Sequence, residues 1–189
     1  MNRLQLINFL IKDRGYQSYL EIGCKGDATF SRVECESKTG VDPISGGTHR
    51  MASDWFFSQN EETFDLVFVD GLHLSEQVLK DVDASLAVLN SGGVVLIHDC
   101  LPQTRDQQWR DMVRGPWTGD VWKAAVILRQ RSDIDVAVYG NDWGIGVVIP
   151  RKNTDLLKVE GRLTWGTLQD NRQEWLRLMD EEGLREFLK

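Results

Sequence analysis

Apolar and polar positions divide the chain into strand-like and helix-like segments. Residues 64–70 and 93–99 are continuous apolar runs that each end in an acid, which is typical of strands buried on both faces of a parallel sheet. Between them, apolar residues at helical spacing predict a helix over 78–89 that stops at the Ser-Gly-Gly break at 91–93. This strand-helix-strand unit predicts an α/β fold with a right-handed crossover.

The remaining segments extend the same alternation. Residues 19–22 and the segment ending at 40–43 predict two further strands, and a weak third strand is predicted near 49–51. Strands at 134–139 and 145–149 flank a short connection that permits only an antiparallel pair. Helices are predicted at three further places, namely 1–14, 120–130 and 169–188.

Composition narrows the class of protein. A chain of 189 residues that is 41% hydrophobic suits one domain over residues 1–189. The net charge of −7, with scattered basic residues, argues against a nucleic-acid partner, and no stretch approaches the roughly 20 apolar residues that a membrane span needs. The three cysteines lack C-x-x-C spacing, which favours reduced thiols in a cytoplasmic protein and gives no sign of a zinc site.

Two glycines, Gly23 and Gly26, follow the first predicted strand and predict a tight turn against a nucleotide-like ligand. Their spacing matches neither the G-x-G-x-x-G dinucleotide fingerprint nor the phosphate loop. A loop without a full phosphate cradle favours a nucleoside ligand that lacks phosphates.

Acids stand at the carboxyl ends of four predicted strands: Glu21, Asp42, Asp70 and Asp99. The ligand crevice of an open parallel sheet lies at this edge. Each acid taken alone could instead be a helix cap or a solvated loop residue. Asp42, one strand-helix-strand step after the glycine turn, is predicted to accept both ribose hydroxyls.

Over residues 15–150 the chain resembles the class I S-adenosylmethionine-dependent methyltransferases, particularly the small-molecule O-methyltransferase branch. The resemblance rests on residues 21–26 as the cofactor loop, 40–43 as the ribose acid, 53–55 as an adenine-contacting segment and 64–73 as the family's fourth motif. It implies a Rossmann-like, doubly wound and mostly parallel seven-stranded sheet of order 3-2-1-4-5-7-6, with an antiparallel last strand and helices on both faces. The cofactor contacts that it implies are Glu21, Gly23, Cys24, Gly26, Asp42, Asp54 and Asp70.

S-adenosylmethionine also suits the residues themselves. It has no phosphate, which fits the short glycine turn, and its cationic sulfonium fits an acidic crevice. Asp54 is the weakest of these contacts, because it could equally cap a helix that begins before Trp55.

The second constellation is Asp70, His73, His98 and Asp99, which is similar to that of metal-assisted macrolide-sugar O-methyltransferases and cephalosporin-pathway methyltransferase-like proteins. The resemblance implies that Asp70 and Asp99 are metal ligands, with His98 beside them, and that His73 is the general base. His98 replaces an acid of those relatives, and its imidazole suits manganese or iron better than magnesium. The alternatives are a hydrogen-bonded strand-end residue for His98 and a helix N-terminal residue for His73.

Residues 103–122 hold Trp109, Trp117 and Trp122 among polar residues and are predicted to form a lid over a small acceptor, although Trp122 could equally pack against the edge of the sheet. The short lid also suits a site that a second copy completes in a homo-oligomer. The function that these residues favour is S-adenosylmethionine-dependent methyl transfer to a hydroxyl of a small molecule, such as a sugar or glycosylated metabolite. A non-catalytic methyltransferase-like binding protein and a nicotinamide-nucleotide enzyme are the alternatives.

Overall fold

The computed structural model describes residues 1–112 and 114–189 and confirms the predicted α/β class. The strands are β1 Ser18–Ile22, β2 Ser37–Val41, β3 Phe64–Val69, β4 Leu89–Ile97, β5 Asp135–Tyr139, β6 Ile145–Ile149 and β7 Leu178–Met179. The helices are α1 Arg3–Arg14, α2 Ser53–Gln59, α3 Ser75–Ala87, α4 Val121–Leu128, α5 Trp165–Leu176 and α6 Glu181–Phe187.

The sheet has the order β2-β1-β3-β4-β6-β5-β7. Strands β2, β1, β3 and β4 are parallel, and β6 lies antiparallel between β4 and β5, as the connection at 140–144 predicts. The weak third strand near 49–51 is reduced to one parallel bridge between Val41 and His49. The sheet still has seven strands, because β7, which was not predicted, pairs with β5 in parallel.

The predicted C-terminal helix over 169–188 is wrong as a single element. Arg177 adopts a left-handed conformation with φ 46° and ends α5, and α6 begins only after β7. Leu178 and Met179 fit the helical spacing of apolar residues, but they pair with Val138 and Tyr139 of β5. Periodicity alone cannot distinguish a continuous helix from two helices joined by a short strand.

Both faces of the sheet are buried, which is why the central strands are continuous apolar runs. On one face Leu66 and Phe68 of β3 belong to the same core as Leu6 and Leu10 of α1. On the other face Val67 and Val69 pack in a core that contains residues of α3, α4 and α5. Because β1 to β4 are parallel, their carboxyl ends lie at the same edge of the sheet.

Cys24, Cys35 and Cys100 are free thiols. In the part of the chain that the structure describes, no helix has the length and apolar character needed to cross a membrane.

Candidate active site at the carboxyl edge of the sheet

The glycine turn after β1 packs directly on the end of β3. Gly23 has φ 93°, and a Cβ atom placed there would lie 2.1 Å from the carbonyl oxygen of Asp70. Gly26 also has a positive φ, 76°, but no heavy atom lies within 4 Å of its Cβ position. Gly23 is therefore required by close packing, whereas Gly26 is required by backbone conformation and faces open space.

Asp42, at the end of β2, holds the glycine turn in place. Its Oδ2 accepts a hydrogen bond from the backbone N–H of Lys25 at 2.9 Å, and its Oδ1 accepts from Ile44 and Ser45 at 2.7 and 2.8 Å. Burial raises the pKa of Asp42, but these backbone donors outweigh it and leave the pKa below its ordinary value. A carboxylate has about four acceptor positions, so about one remains here for a ribose hydroxyl, rather than the two that the sequence predicted.

Cys24 and Asp54, two further predicted cofactor contacts, lie in different settings. Cys24 is buried beneath the turn, and a Cβ at Gly40 would lie 2.7 Å from its Sγ. Asp54 lies in the first turn of α2, exposed, where it accepts a hydrogen bond from the side chain of Gln77 at 2.8 Å. The residue that caps α2 is Ala52, so Asp54 is not the cap.

Glu21 lies below the crevice, in the core. Its side chain is 1% exposed, and its Oε2 accepts a hydrogen bond from the hydroxyl of Tyr19 at 2.6 Å. Burial raises the pKa of Glu21 to about 8, because a carboxylate loses its hydration there. Glu21 is therefore largely protonated at neutral pH.

The raised pKa of Glu21 predicts a specific pH dependence of stability. The folded-state pKa of Glu21 is about 8, above the ordinary 4.5, so between pH 4.5 and 8 the folded protein binds a proton that the unfolded chain does not. The stability that this proton contributes is complete at low pH, decreases across this range and is lost as the pH rises through 8. We expect Glu21→Gln, which keeps an acceptor for Tyr19, to gain stability relative to the wild type by up to about 1.4 kcal/mol per pH unit between pH 5 and 8. Urea unfolding of both proteins across this range measures the difference, and a difference that does not change with pH would contradict the burial of an ionisable Glu21.

Asp70, at the end of β3, lies at the centre of a charged cluster. Its Oδ2 accepts a hydrogen bond from Nη1 of Arg3 at 3.2 Å. Its Oδ1 lies 3.2 Å from Nε2 of His73 and 3.3 Å from Nδ1 of His98. Burial raises the pKa of Asp70, but the two imidazoles outweigh it and hold the pKa well below its ordinary range. Asp70 is therefore ionised throughout the neutral range.

Asp99, at the end of β4, closes the cluster from the other side. Its carboxylate oxygens lie 3.2 Å from Nδ1 of His73 and 3.2 Å from Nδ1 of His98. Both Nδ1 atoms are buried, and among the described residues neither has a partner in hydrogen-bonding geometry. The Nδ1 atoms of two imidazoles thus lie close to carboxylate oxygens without forming a hydrogen bond to them.

This arrangement fits a divalent cation. Ligand atoms of Asp70, His73 and Asp99 all lie within 4.8 Å of one another, and Nδ1 of His98 adjoins both carboxylates. A mixed set of carboxylate and imidazole ligands suits manganese or iron better than magnesium. The sequence predicted Asp70, Asp99 and His98 as ligands, and the structure brings all three together with His73.

Three non-glycine residues around the cluster have left-handed backbone conformations. They are His73 with φ 58°, Asp99 with φ 62° and Asp142 with φ 49°. Each costs roughly 1–2 kcal/mol relative to a right-handed conformation. Strained residues of this kind concentrate at functional sites, because the surrounding structure must hold them there.

Part of the 103–122 segment covers His73. The indole of Trp117 stacks on the imidazole at 4.8 Å, and a Cβ at Gly119 would lie 1.9 Å from the carbonyl oxygen of His73. Arg110 fastens the segment to α3 through an ion pair with Glu76. Trp122 belongs to α4 and is fully buried in the core, whereas Val113 lies outside the described residues.

Two residues of the cluster, Arg3 and Asp142, were missed in the sequence. Arg3 begins α1 and Asp142 lies in the β5–β6 connection, 139 positions away. The carboxylate of Asp142 accepts hydrogen bonds from the Arg3 guanidinium at Nε and Nη2, both at 3.0 Å. Neither residue stands at the end of a parallel strand, which was the signal that identified the other acids.

Part of the chain is similar in sequence to known methyltransferases. Residues 17–100 match the model of a methyltransferase domain family. No sequence match to a curated protein is found.

Solved structures extend the likeness to most of the chain. The methyltransferase PaMTH1 of Podospora anserina, bound to S-adenosylhomocysteine, is 18% identical with TM-score 0.60 over 80% of this chain and 78% of that one. The O-methyltransferase TomG of Streptomyces achromogenes, bound to S-adenosylmethionine, is 15% identical with TM-score 0.57 over 79% of each chain. MycE of the mycinamycin pathway, in complex with Mg, S-adenosylhomocysteine and mycinamycin VI, is 18% identical with TM-score 0.53 over 85% of this chain and 51% of that one. The chain therefore has the fold of these methyltransferases, and residues 17–100 match the model of a methyltransferase domain.

Proposed function

We propose that this protein transfers a methyl group from S-adenosylmethionine to a hydroxyl of a small molecule with the help of a divalent cation. The observation that carries the proposal is the direct contact between the glycine turn and the charged cluster. The Cβ position of Gly23 lies 2.1 Å from the backbone oxygen of Asp70, whose carboxylate adjoins both histidines. A donor on the turn and an acceptor at the cluster would therefore be neighbours, as in-line transfer requires.

The cofactor side is supported by the turn and by the charge of the crevice. Gly26 leaves open space above the turn, and Asp42 keeps about one acceptor position for the ribose. The ionised Asp70 and its neighbour Asp99 suit a sulfonium cation nearby. PaMTH1 and TomG, which share the fold, bind S-adenosylhomocysteine and S-adenosylmethionine.

We assign cation binding to Asp70, Asp99 and Nδ1 of His98, and proton acceptance to His73. The His98 side chain is 2% exposed, and its other ring nitrogen is committed to a backbone oxygen, which suits a fixed ligand. The His73 side chain is 16% exposed and stacks against Trp117. When bound, a divalent cation would lower the pKa of an acceptor hydroxyl, and the His73 imidazole would take the proton.

The acceptor would bind beneath the segment that carries Trp109 and Trp117. The size of the acceptor is limited because this segment lies close to His73, whose imidazole stacks on the indole of Trp117. An aromatic surface beside a polar cluster suits a sugar ring or a glycosylated metabolite. MycE, with the same fold, was solved with the macrolide mycinamycin VI and Mg.

Calorimetry and turnover test the proposal together. S-adenosylmethionine should bind in isothermal titration, whereas NADH should not. Release of S-adenosylhomocysteine should require a hydroxylated acceptor, fall strongly after dialysis against EDTA and return with MnCl2. No binding of S-adenosylmethionine at millimolar concentration would refute the transferase, and binding without turnover on any acceptor of a sugar and macrolide panel would favour a non-catalytic protein. Transfer that EDTA leaves unchanged would refute the role of the cation alone.

A further inference from the structure

We infer that Arg3 is a positioning residue for the cation site and that it acts through Asp142. The inference rests on the cation-assisted function proposed above. It concerns the N-terminal helix, which in sequence lies outside the segment that matches the methyltransferase family model.

Arg3 holds the carboxylate of Asp142 by three contacts. The backbone N–H of Arg3 donates to Oδ2 at 2.7 Å, Nε donates to the same oxygen at 3.0 Å, and Nη2 donates to Oδ1 at 3.0 Å. A planar guanidinium fork of this kind fixes the orientation of a carboxylate, which a lysine ammonium cannot do. The contacts help to hold Asp142 in its left-handed conformation.

Asp142 in turn orients His98. The backbone carbonyl of Asp142 accepts a hydrogen bond from Nε2 of His98 at 2.9 Å. When Nε2 carries this proton in the neutral imidazole, the lone pair of Nδ1 is available to a cation beside the carboxylates of Asp70 and Asp99, which lie 3.3 and 3.2 Å from this nitrogen. A hydrogen bond from the far ring nitrogen to a backbone oxygen is the usual way in which proteins orient a metal-binding histidine.

Arg3 also contacts one of the two carboxylate oxygens of Asp70 and leaves the other to the imidazoles. Its Nη1 lies on Oδ2 at 3.2 Å, so Oδ1 is the oxygen that faces the imidazoles. The guanidinium therefore sets the rotation of the Asp70 carboxylate as well as the position of Asp142. Losing it would free both groups at once.

The packing of α1 does not depend on Arg3. Leu6, Ile7 and Leu10 of the helix are fully buried, and Asn2 and Gln5 form a capping box at its start. Removal of the guanidinium should therefore leave the helix in place and the protein folded. Lys12, an exposed cation on the same helix, offers a matched control for loss of charge.

The test is the affinity for Mn²⁺, measured from the electron paramagnetic resonance signal of the free ion during titration with MnCl2. We expect Arg3→Ala to raise the dissociation constant by about 10- to 100-fold, Arg3→Lys to fall between it and the wild type, and Lys12→Ala to match the wild type. The direction of the change in the Mn²⁺ dissociation constant distinguishes a positioning role of Arg3 from an effect of its charge. If Arg3 acted only as a nearby positive charge, its removal would tighten the binding of a cation.

The other results have equally definite meanings. Unchanged or tighter Mn²⁺ binding by Arg3→Ala would overturn the inference. Because Arg3 contacts Asp142 and also Asp70, the double variant Arg3→Ala/Asp142→Ala should lose less affinity than the sum of the two single losses, and fully additive losses would overturn the route through Asp142. A wild type that binds no Mn²⁺ would also overturn the inference, while calorimetry with S-adenosylmethionine would show separately whether the transferase proposal stands.

Discussion

Asp70→Asn will abolish Mn²⁺ binding and reduce methyl transfer by at least about 100-fold, because the Asp70 carboxylate contacts Arg3, His73 and His98. The amide keeps the size of the side chain but removes the charge that the two imidazoles face. The prediction is checked by metal titration and by initial rates on the same preparations.

Two comparison variants give this result its meaning. His73→Gln should lose methyl transfer by a similar factor and keep its Mn²⁺ affinity, because His73 is assigned to the proton and His98 to the cation. Asp133→Asn, at an exposed carboxylate paired with Arg131, should change neither. If Asp70→Asn kept wild-type Mn²⁺ affinity, the assignment of this cluster to a cation would be wrong.

Gly23→Ala will lower the free energy of unfolding by more than about 3 kcal/mol and will disturb the site. The new Cβ would lie 2.1 Å from the carbonyl oxygen and 2.5 Å from the carbonyl carbon of Asp70, so β1 and β3 would have to separate at their ends. Urea unfolding measures the loss.

Gly26→Ala is the matched control in the same turn. Its φ of 76° is close to the 93° of Gly23, but nothing lies within 4 Å of its Cβ position. Only the left-handed backbone should then cost stability, by roughly 1–2 kcal/mol. Equal losses in the two variants would show that the contact between the turn and Asp70 is not needed.

The fold could be predicted where burial imposes a pattern on the sequence. Strands β3 and β4 are covered on both faces, so their residues form continuous apolar runs that are visible in the chain. The predicted strand near 49–51 has no such run, and only His49 pairs there. The break between α5 and α6 has no sequence signal, because Arg177 is not a residue that marks a left-handed turn.

Only those site residues that lie at or next to the ends of parallel strands could be predicted from the sequence. Asp70 and Asp99 follow neighbouring parallel strands, and the topology brings them together with His73 and His98. Arg3 and Asp142 meet because α1 packs beside the β5–β6 connection, and no spacing in the sequence encodes that contact across 139 positions. The position of Glu21 beneath the turn also escaped prediction, since a strand-end acid can face either the crevice or the core.

Anomalous diffraction from crystals grown with MnCl2 and S-adenosylhomocysteine tests the central claim most directly. We predict one manganese peak within about 2.5 Å of carboxylate oxygens of Asp70 and Asp99 and of Nδ1 of His98, with the nucleoside above the turn at Gly23 and Gly26. Density for S-adenosylhomocysteine together with no manganese peak among these side chains would contradict the cation-assisted mechanism.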